Sequence, residues 1–79
     1  MPSVVLYVAE GCGLCREAVS TVESVCGELG IEHRLVSIDG DDELERRYRV
    51  SIPVVEVDGV RRFEFFVEPH ALREALTGA

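Results

Sequence analysis

At 79 residues the chain is read as one small domain, residues 1–79, since domains run to roughly 100–200 residues. Hydrophobic residues make up 47% and charged residues 29%, which excludes a disordered chain, and no apolar run approaches the ~20 residues of a membrane span. Fifteen acids against eight bases give a net charge of −7, the wrong sign for binding nucleic acid or an anionic membrane.

The N-terminus, Met1-Pro2-Ser3-Val4-Val5, carries neither a basic region nor the apolar stretch of a secretory signal. Together with the starting Met1 this gives the expectation of an intact chain in the cytoplasm. The next run, Val4 to Ala9, is apolar and rich in β-branched residues, as in a central strand covered on both faces. Glu10-Gly11 ends it as a turn. From Cys12 to Leu29 the pattern becomes helical. Leu14, Cys15, Ala18, Val19, Val22, Val25, Cys26 and Leu29 share one face, and polar residues with Gly27 fill the other. Gly30 suits the end of that helix. Cys12 therefore falls at the N-cap and Cys15 at the end of the first turn.

Glu32 to Ile38 reads as a second strand. Asp39-Gly40-Asp41-Asp42 has turn and N-cap chemistry, and a short helix follows to about Arg49. Its pairs Asp42/Arg46, Glu43/Arg47 and Glu45/Arg49 are spaced for i,i+4 support on a solvated face. Val54 to Val57 is a third strand, opened by Pro53. Asp58-Gly59 signals a tight hairpin into a fourth strand, Val60 to Phe66, with Phe63 and Phe65 on one face. Glu68-Pro69 starts a last helix whose inner face carries Leu72, Ala75 and Leu76, and Gly78 ends it. The order is β-α-β-α-β-β-α. A helical crossover makes the first two strands parallel, and a two-residue turn makes the last two antiparallel. The fold class is α/β, a mixed four-stranded sheet with three flanking helices.

The pair Cys12-Gly13-Leu14-Cys15 is the most informative feature. Three cysteines do not make a secreted disulfide scaffold. A zinc site would need two more ligands, and Cys26 lies 11 residues beyond Cys15, about 16 Å along the helix. His33 and His70 lack ligand spacing, so no metal is expected. A helix N-terminus carries partial positive charge and unpaired N–H groups, which favour a thiolate at Cys12. Gly13 leaves the approach open. Cys15, on the apolar face, is the more buried thiol. Cys12 is thus the nucleophile and Cys15 the resolving thiol. Cys26 reads as a small buried hydrophobe, and both histidines as surface or packing residues.

A C-x-x-C opening the first helix of such a short chain resembles the thioredoxin-like fold. Its size, and the absence of an extra N-terminal β-α unit, resemble glutaredoxins, and in particular the small bacterial glutaredoxin-like proteins. Tyr7 to Cys15, Ile38 to Leu44, and Ser51-Ile52-Pro53-Val54-Val55 carry the resemblance. The last stretch is similar to the loop whose proline is cis in that family. This implies a cis Ile52–Pro53 bond facing the dithiol, with the Ile52 backbone pairing with an extended substrate. The resemblance implies a thiol–disulfide oxidoreductase that reduces protein or mixed disulfides. Cys12 and Cys15 would be catalytic, and Gly13, Leu14, Ile52 and Pro53 would bind substrate, with Tyr7 and Arg16 in support. No bound cofactor is implied; the electron donor would be glutathione or a protein reductase, and the protein a monomer. The competing reading is a non-enzymatic module that binds a partner protein or a glutathione-held iron–sulfur cluster. Two departures stand out. The motif lacks both the Pro-Tyr of dithiol glutaredoxins and the Gly-Pro of thioredoxins. Phe65-Phe66-Val67-Glu68-Pro69 replaces the Gly-Gly turn that helps to hold glutathione. Weak glutathione dependence is therefore expected.

Overall fold

The computed structural model describes residues 2–78. The elements follow the order read from the sequence: β1 (Val4–Val8), α1 (Gly13–Leu29), β2 (His33–Ser37), α2 (Asp42–Tyr48), β3 (Val54–Val57), β4 (Val60–Glu64) and α3 (Pro69–Thr77). They form one sheet of order β2-β1-β3-β4. β1 is parallel to β2 and antiparallel to β3, which pairs antiparallel with β4. This is the thioredoxin-like architecture. Among the described residues no helix is long and apolar enough to cross a membrane.

The centre of the sheet explains its apolar strands. Leu6 of β1 sits opposite Leu35 on one side and Val55 on the other, and it is fully buried. The β1 and β3 side chains Val4, Leu6, Val55 and Val57 point to one face. There they meet Ala18, Val22, Val25 and Cys26 of α1, and Leu72 and Leu76 of α3. The other face is smaller. Ala9, Ile38, Tyr48 and Val54 form its core, with Tyr7, Leu44 and Ile52 packed against them. Arg73 of α3 grips Glu28 of α1 with two hydrogen bonds, at 2.9 and 3.2 Å, on the outside of the helix pair.

The local signals act as their chemistry requires. Asp41 caps α2 by accepting from the Leu44 N–H at 3.0 Å, and Glu68 caps α3 by accepting from the Ala71 N–H at 2.5 Å. In the hairpin both Asp58 (φ 53°) and Gly59 (φ 80°) take left-handed conformations, the pair that a twisted two-residue turn demands.

Three details differ from the sequence reading. β4 ends at Glu64 because the β3–β4 register slips at Val55/Glu56 and Phe65 turns left-handed (φ 66°). Phe65 therefore leaves the face it would have shared with Phe63 and stands 42% exposed. Ile38 lies just beyond β2, yet it is fully buried and its N–H donates to the Val8 carbonyl at 2.9 Å. Of the three charge pairs on α2, only Glu45–Arg49 closes among the described residues, at 3.0 Å. Arg47 instead lies over the Tyr48 ring, 5.6 Å from its centre, and Arg61 covers it at 5.1 Å. An exposed i,i+4 pair is worth only a few tenths of a kcal/mol, so an aromatic face competes with it.

Leu6→Ala should cost ~2–5 kcal/mol, a large share of the ~4–12 kcal/mol expected for a domain this size. Urea denaturation should show its midpoint falling by more than ~1 M. A second expectation concerns alkali. Burial pushes the Cys26 thiol above its ordinary value of 9.0. Burial, then the hydrogen bond from its hydroxyl to Glu56 at 2.7 Å, pushes the Tyr48 phenol well above 10.0. Above these ordinary values the unfolded chain releases protons that the folded chain retains, so stability is complete below pH 9 and falls as pH rises. The slope should reach about 1.4 kcal/mol per pH unit for each group. Cys26→Ala should be less stable at pH 7 but lose less stability than the parent between pH 8 and 10, as read by denaturant midpoints.

Candidate functional site

The site forms where β1 hands the chain to α1. Gly11 takes a left-handed conformation (φ 74°) that a side chain would strain, and it swings the chain into the helix. The Glu10 N–H donates to Asp39 Oδ2 at 2.8 Å, and the Ser37 hydroxyl donates to the same oxygen at 3.2 Å. Arg49 lies 3.8 Å from the other Asp39 oxygen. The turn before the cysteines is thus tied to the end of β2 and, through Arg49, to the end of α2.

Cys12 is the N-cap of α1, and its sulfur accepts the Cys15 N–H at 3.2 Å. Cys12 and Cys15 are joined as a disulfide, with Cα atoms 5.3 Å apart. Cys12 is half-buried and Cys15 buried, the asymmetry expected from the helical pattern. Gly13 is exposed, and a Cβ there would meet nothing within 4 Å, so the space over the motif is open. Cys26 is a buried free thiol in the main core. Among the described residues no three His, Cys, Asp or Glu side chains gather as a metal site would require.

The other sequence candidates divide between two places. The Ile52–Pro53 peptide bond is cis and Pro53 is buried. The Pro53 carbonyl accepts the Phe65 N–H at 2.9 Å, and Ile52 packs into the smaller core. Tyr7 is stacked on Tyr48 with ring centres 4.0 Å apart and planes 13° apart, on the α2 side of the sheet. Arg16 is exposed, about 160° around the helix from Leu14.

Leu14 opens onto a feature that the sequence reading did not locate. A groove of about 250 Å³ runs between α1 and the segment that joins β4 to α3. One wall is Leu14, Glu17, Ala18 and Thr21, and the other is the stretch from Phe65 to Glu68. Phe66 is 71% exposed on its rim. The signal was present as two adjacent aromatics after a strand, but only the left-handed turn at Phe65 sends them outward. Asp39 was likewise read as turn chemistry, because its contact with Glu10 spans 29 residues.

A profile for the glutaredoxin-like domain (DUF836) matches residues 3–77. No curated protein matches the chain in sequence. Among solved structures, target protein XcR50 from X. campestris is 28% identical, with a TM-score of 0.79, over 96% of this chain and 97% of that one. Protein Ne2328 from Nitrosomonas europaea is 25% identical, with a TM-score of 0.74, over 90% and 86%. Fasciola hepatica thioredoxin is 30% identical, with a TM-score of 0.67, over 98% of this chain and 79% of its own. With a dithiol pair at the head of α1, a thioredoxin-like sheet behind it and a profile match across nearly its whole length, the chain belongs to the glutaredoxin-like domain family.

Proposed function

We propose that the protein is a thiol–disulfide oxidoreductase that reduces protein or mixed disulfides in the reducing cytoplasm. The observation that carries this reading is the Cys12–Cys15 disulfide at the head of α1, with Cys12 as N-cap and the Cys15 N–H aimed at its sulfur. A developing charge on that sulfur meets an N–H donor and the positive end of a helix.

The reduced pair would act in two displacements. Cys12 thiolate attacks one sulfur of the substrate disulfide, forming a mixed disulfide and expelling a substrate thiolate. Cys15 then gives up its proton to solvent or to that thiolate and attacks the Cys12 sulfur. The Cys12–Cys15 bond forms, the second substrate thiolate leaves, and two electrons have passed to the substrate. Gly13 and Leu14 border the reacting sulfur. Among the described residues, no backbone hydrogen bond outside the helices and strands involves Ile52, which supports pairing between its main chain and an extended substrate. Arg16 lends positive charge near the dithiol, and Tyr7 supports the end of β1 from below. The test is trapping. Cys15→Ser should accumulate a mixed disulfide with a disulfide-bonded protein, visible by mass spectrometry without reductant, and Cys12→Ser should accumulate none. Turnover by Cys12→Ser would reverse the two roles.

A two-electron donor must reopen the disulfide, and a protein dithiol of the reductase type suits this chain better than glutathione. Glutathione is anionic and needs cations or free N–H groups. The Phe65 N–H is taken by the Pro53 carbonyl, and the Phe66 N–H by the Glu64 carbonyl at 2.7 Å. Arg49 is paired with Glu45 at 3.0 Å and Arg61 with Glu64 at 2.6 Å. The groove is smaller than the ~300–1,000 Å³ of ordinary small-molecule sites, and Glu17 and Glu68 face it. Repulsion between exposed charges is only about 1 kcal/mol, so glutathione should be slower by about fivefold to tenfold, not inert. Re-reduction by millimolar glutathione should therefore lag behind re-reduction by thioredoxin reductase. Rapid turnover with glutathione, unaffected by Arg16→Ala and Arg49→Ala, would refute this choice of donor.

A further inference from the structure

We infer that the groove between α1 and the β4–α3 segment is a docking site for a cationic polypeptide segment of the substrate protein, one that places an apolar side chain beside Arg or Lys. The inference rests on the oxidoreductase reading for its setting, since it names the class of substrate that the dithiol would meet. Three observations carry it.

The groove lies beside the motif, and neither cysteine lines it. Leu14 lies between Cys12 and Cys15 in the motif and also lines the groove. A substrate segment seated there would be one residue of the motif away from each cysteine along the chain. The opposite wall is anchored to the proline loop, since the Phe65 N–H donates to the Pro53 carbonyl at 2.9 Å.

The groove is apolar at its base and acidic at its sides. Leu14, Ala18 and Val67 give it an apolar lining, and Phe66 stands 71% exposed at its edge. With the adjacent Phe65, 42% exposed, it forms a two-ring apolar edge of the kind that docks a partner. The volume of about 250 Å³ suits one or two side chains.

The charge is one-sided. Both ionisable residues that line the groove, Glu17 and Glu68, are acids. Among the described residues no ion pair involves Glu17. One oxygen of Glu68 caps α3 and its negative charge remains. Arg16 points to the far side of the helix, about 160° from Leu14, and cannot neutralise the wall. The whole chain adds a net charge of −7 behind it. Such a groove favours cations and repels acids, which sets specificity and encounter rate. Each exposed ion pair is worth at most about fivefold in affinity, so two carboxylates support discrimination on the order of tenfold.

The test separates docking from redox chemistry by using the oxidised wild-type protein and peptides without cysteine. Two ten-residue synthetic peptides, alike except for an Arg-Leu-Arg or a Glu-Leu-Glu centre, are titrated while backbone amide NMR shifts are followed. The Arg peptide should shift Leu14, Glu17, Ala18 and Phe66 and bind roughly tenfold more tightly than the Glu peptide at low salt. In ~1 M salt, where screening acts within about 3 Å, that ratio should collapse. Glu17→Arg should reduce the ratio at least fivefold. Glu23→Arg makes the same charge change about 120° around the helix from Glu17 and about 180° from Leu14, and should leave the ratio intact. Phe66→Ala should weaken both peptides alike. Equal binding of the two peptides, equal effects of the two Glu→Arg variants, or shifts confined to another face would overturn the inference. So would glutathione shifting the same amides more strongly, or self-association through Phe66 in a concentration series without peptide. In parallel, the reduced protein is mixed with 2-hydroxyethyl disulfide, a small neutral probe. Failure to reduce it refutes the oxidoreductase reading, while the peptide titration judges the docking surface by itself.

Discussion

The first turn of α1 governs the rest of the molecule. A helix begins with unpaired N–H groups that need acceptors. Asp41 and Glu68 supply carboxylates for α2 and α3, whereas α1 uses the Cys12 sulfur. Sulfur is the weaker acceptor, so this cap trades helix stability for chemistry at the cysteine. The remaining structure compensates by holding that end firmly. Gly11 makes the turn, Asp39 fastens Glu10, and α1 is buried along one face by Ala18, Val22, Val25 and Cys26. The site lies where a central strand and the longest helix meet.

Most of the fold was legible because periodicity and capping act locally. The partition of α1 into apolar and polar faces, the Asp58-Gly59 hairpin, and Pro69 at the start of α3 each specify their element from within a few residues. The N-cap position of Cys12 and the burial of Cys15 were legible for the same reason, since both follow from positions along one helix. What was not legible depends on long-range pairing. Glu10 meets Asp39 across 29 residues, and the β4 bulge that frees Phe65 depends on its register with β3. The α2 charge pairs were overestimated because their competitors, the Tyr48 ring and the Arg61 side chain, come from tertiary packing.

Phe65 holds a left-handed backbone conformation (φ 66°) at the head of the β4–α3 segment. That backbone region favours glycine, and a bulky residue there costs on the order of 1–3 kcal/mol. The Phe65 N–H, given to the Pro53 carbonyl, returns part of this cost. So does the packing of Val67, which is buried in the main core two residues later. At Phe65 the backbone therefore adopts a conformation that glycine favours, while its N–H and that of Phe66 are taken by main-chain carbonyls and the two rings form an exposed edge. A surface that would present donors to a small anion instead presents apolar area beside carboxylates.

The small size of the domain limits where its surface can vary. Ala18 belongs to the main core and also lines the groove, and Val67 does the same from the other side. Cys15 is at once half of the disulfide and a buried residue. With so few residues the groove wall is the outer skin of the core, so its apolar positions are constrained by packing. Glu17, Phe66 and the free edge of Thr21 are not constrained in this way, because they bury little. Specificity in such a domain can change only at the rim, by charge and by exposed aromatic area, while the dithiol and the core behind it stay fixed. The excess of acids over bases acts on the same rim from a distance, so in the docking proposed above it would add a long-range attraction for a cationic segment to the short-range fit of the groove.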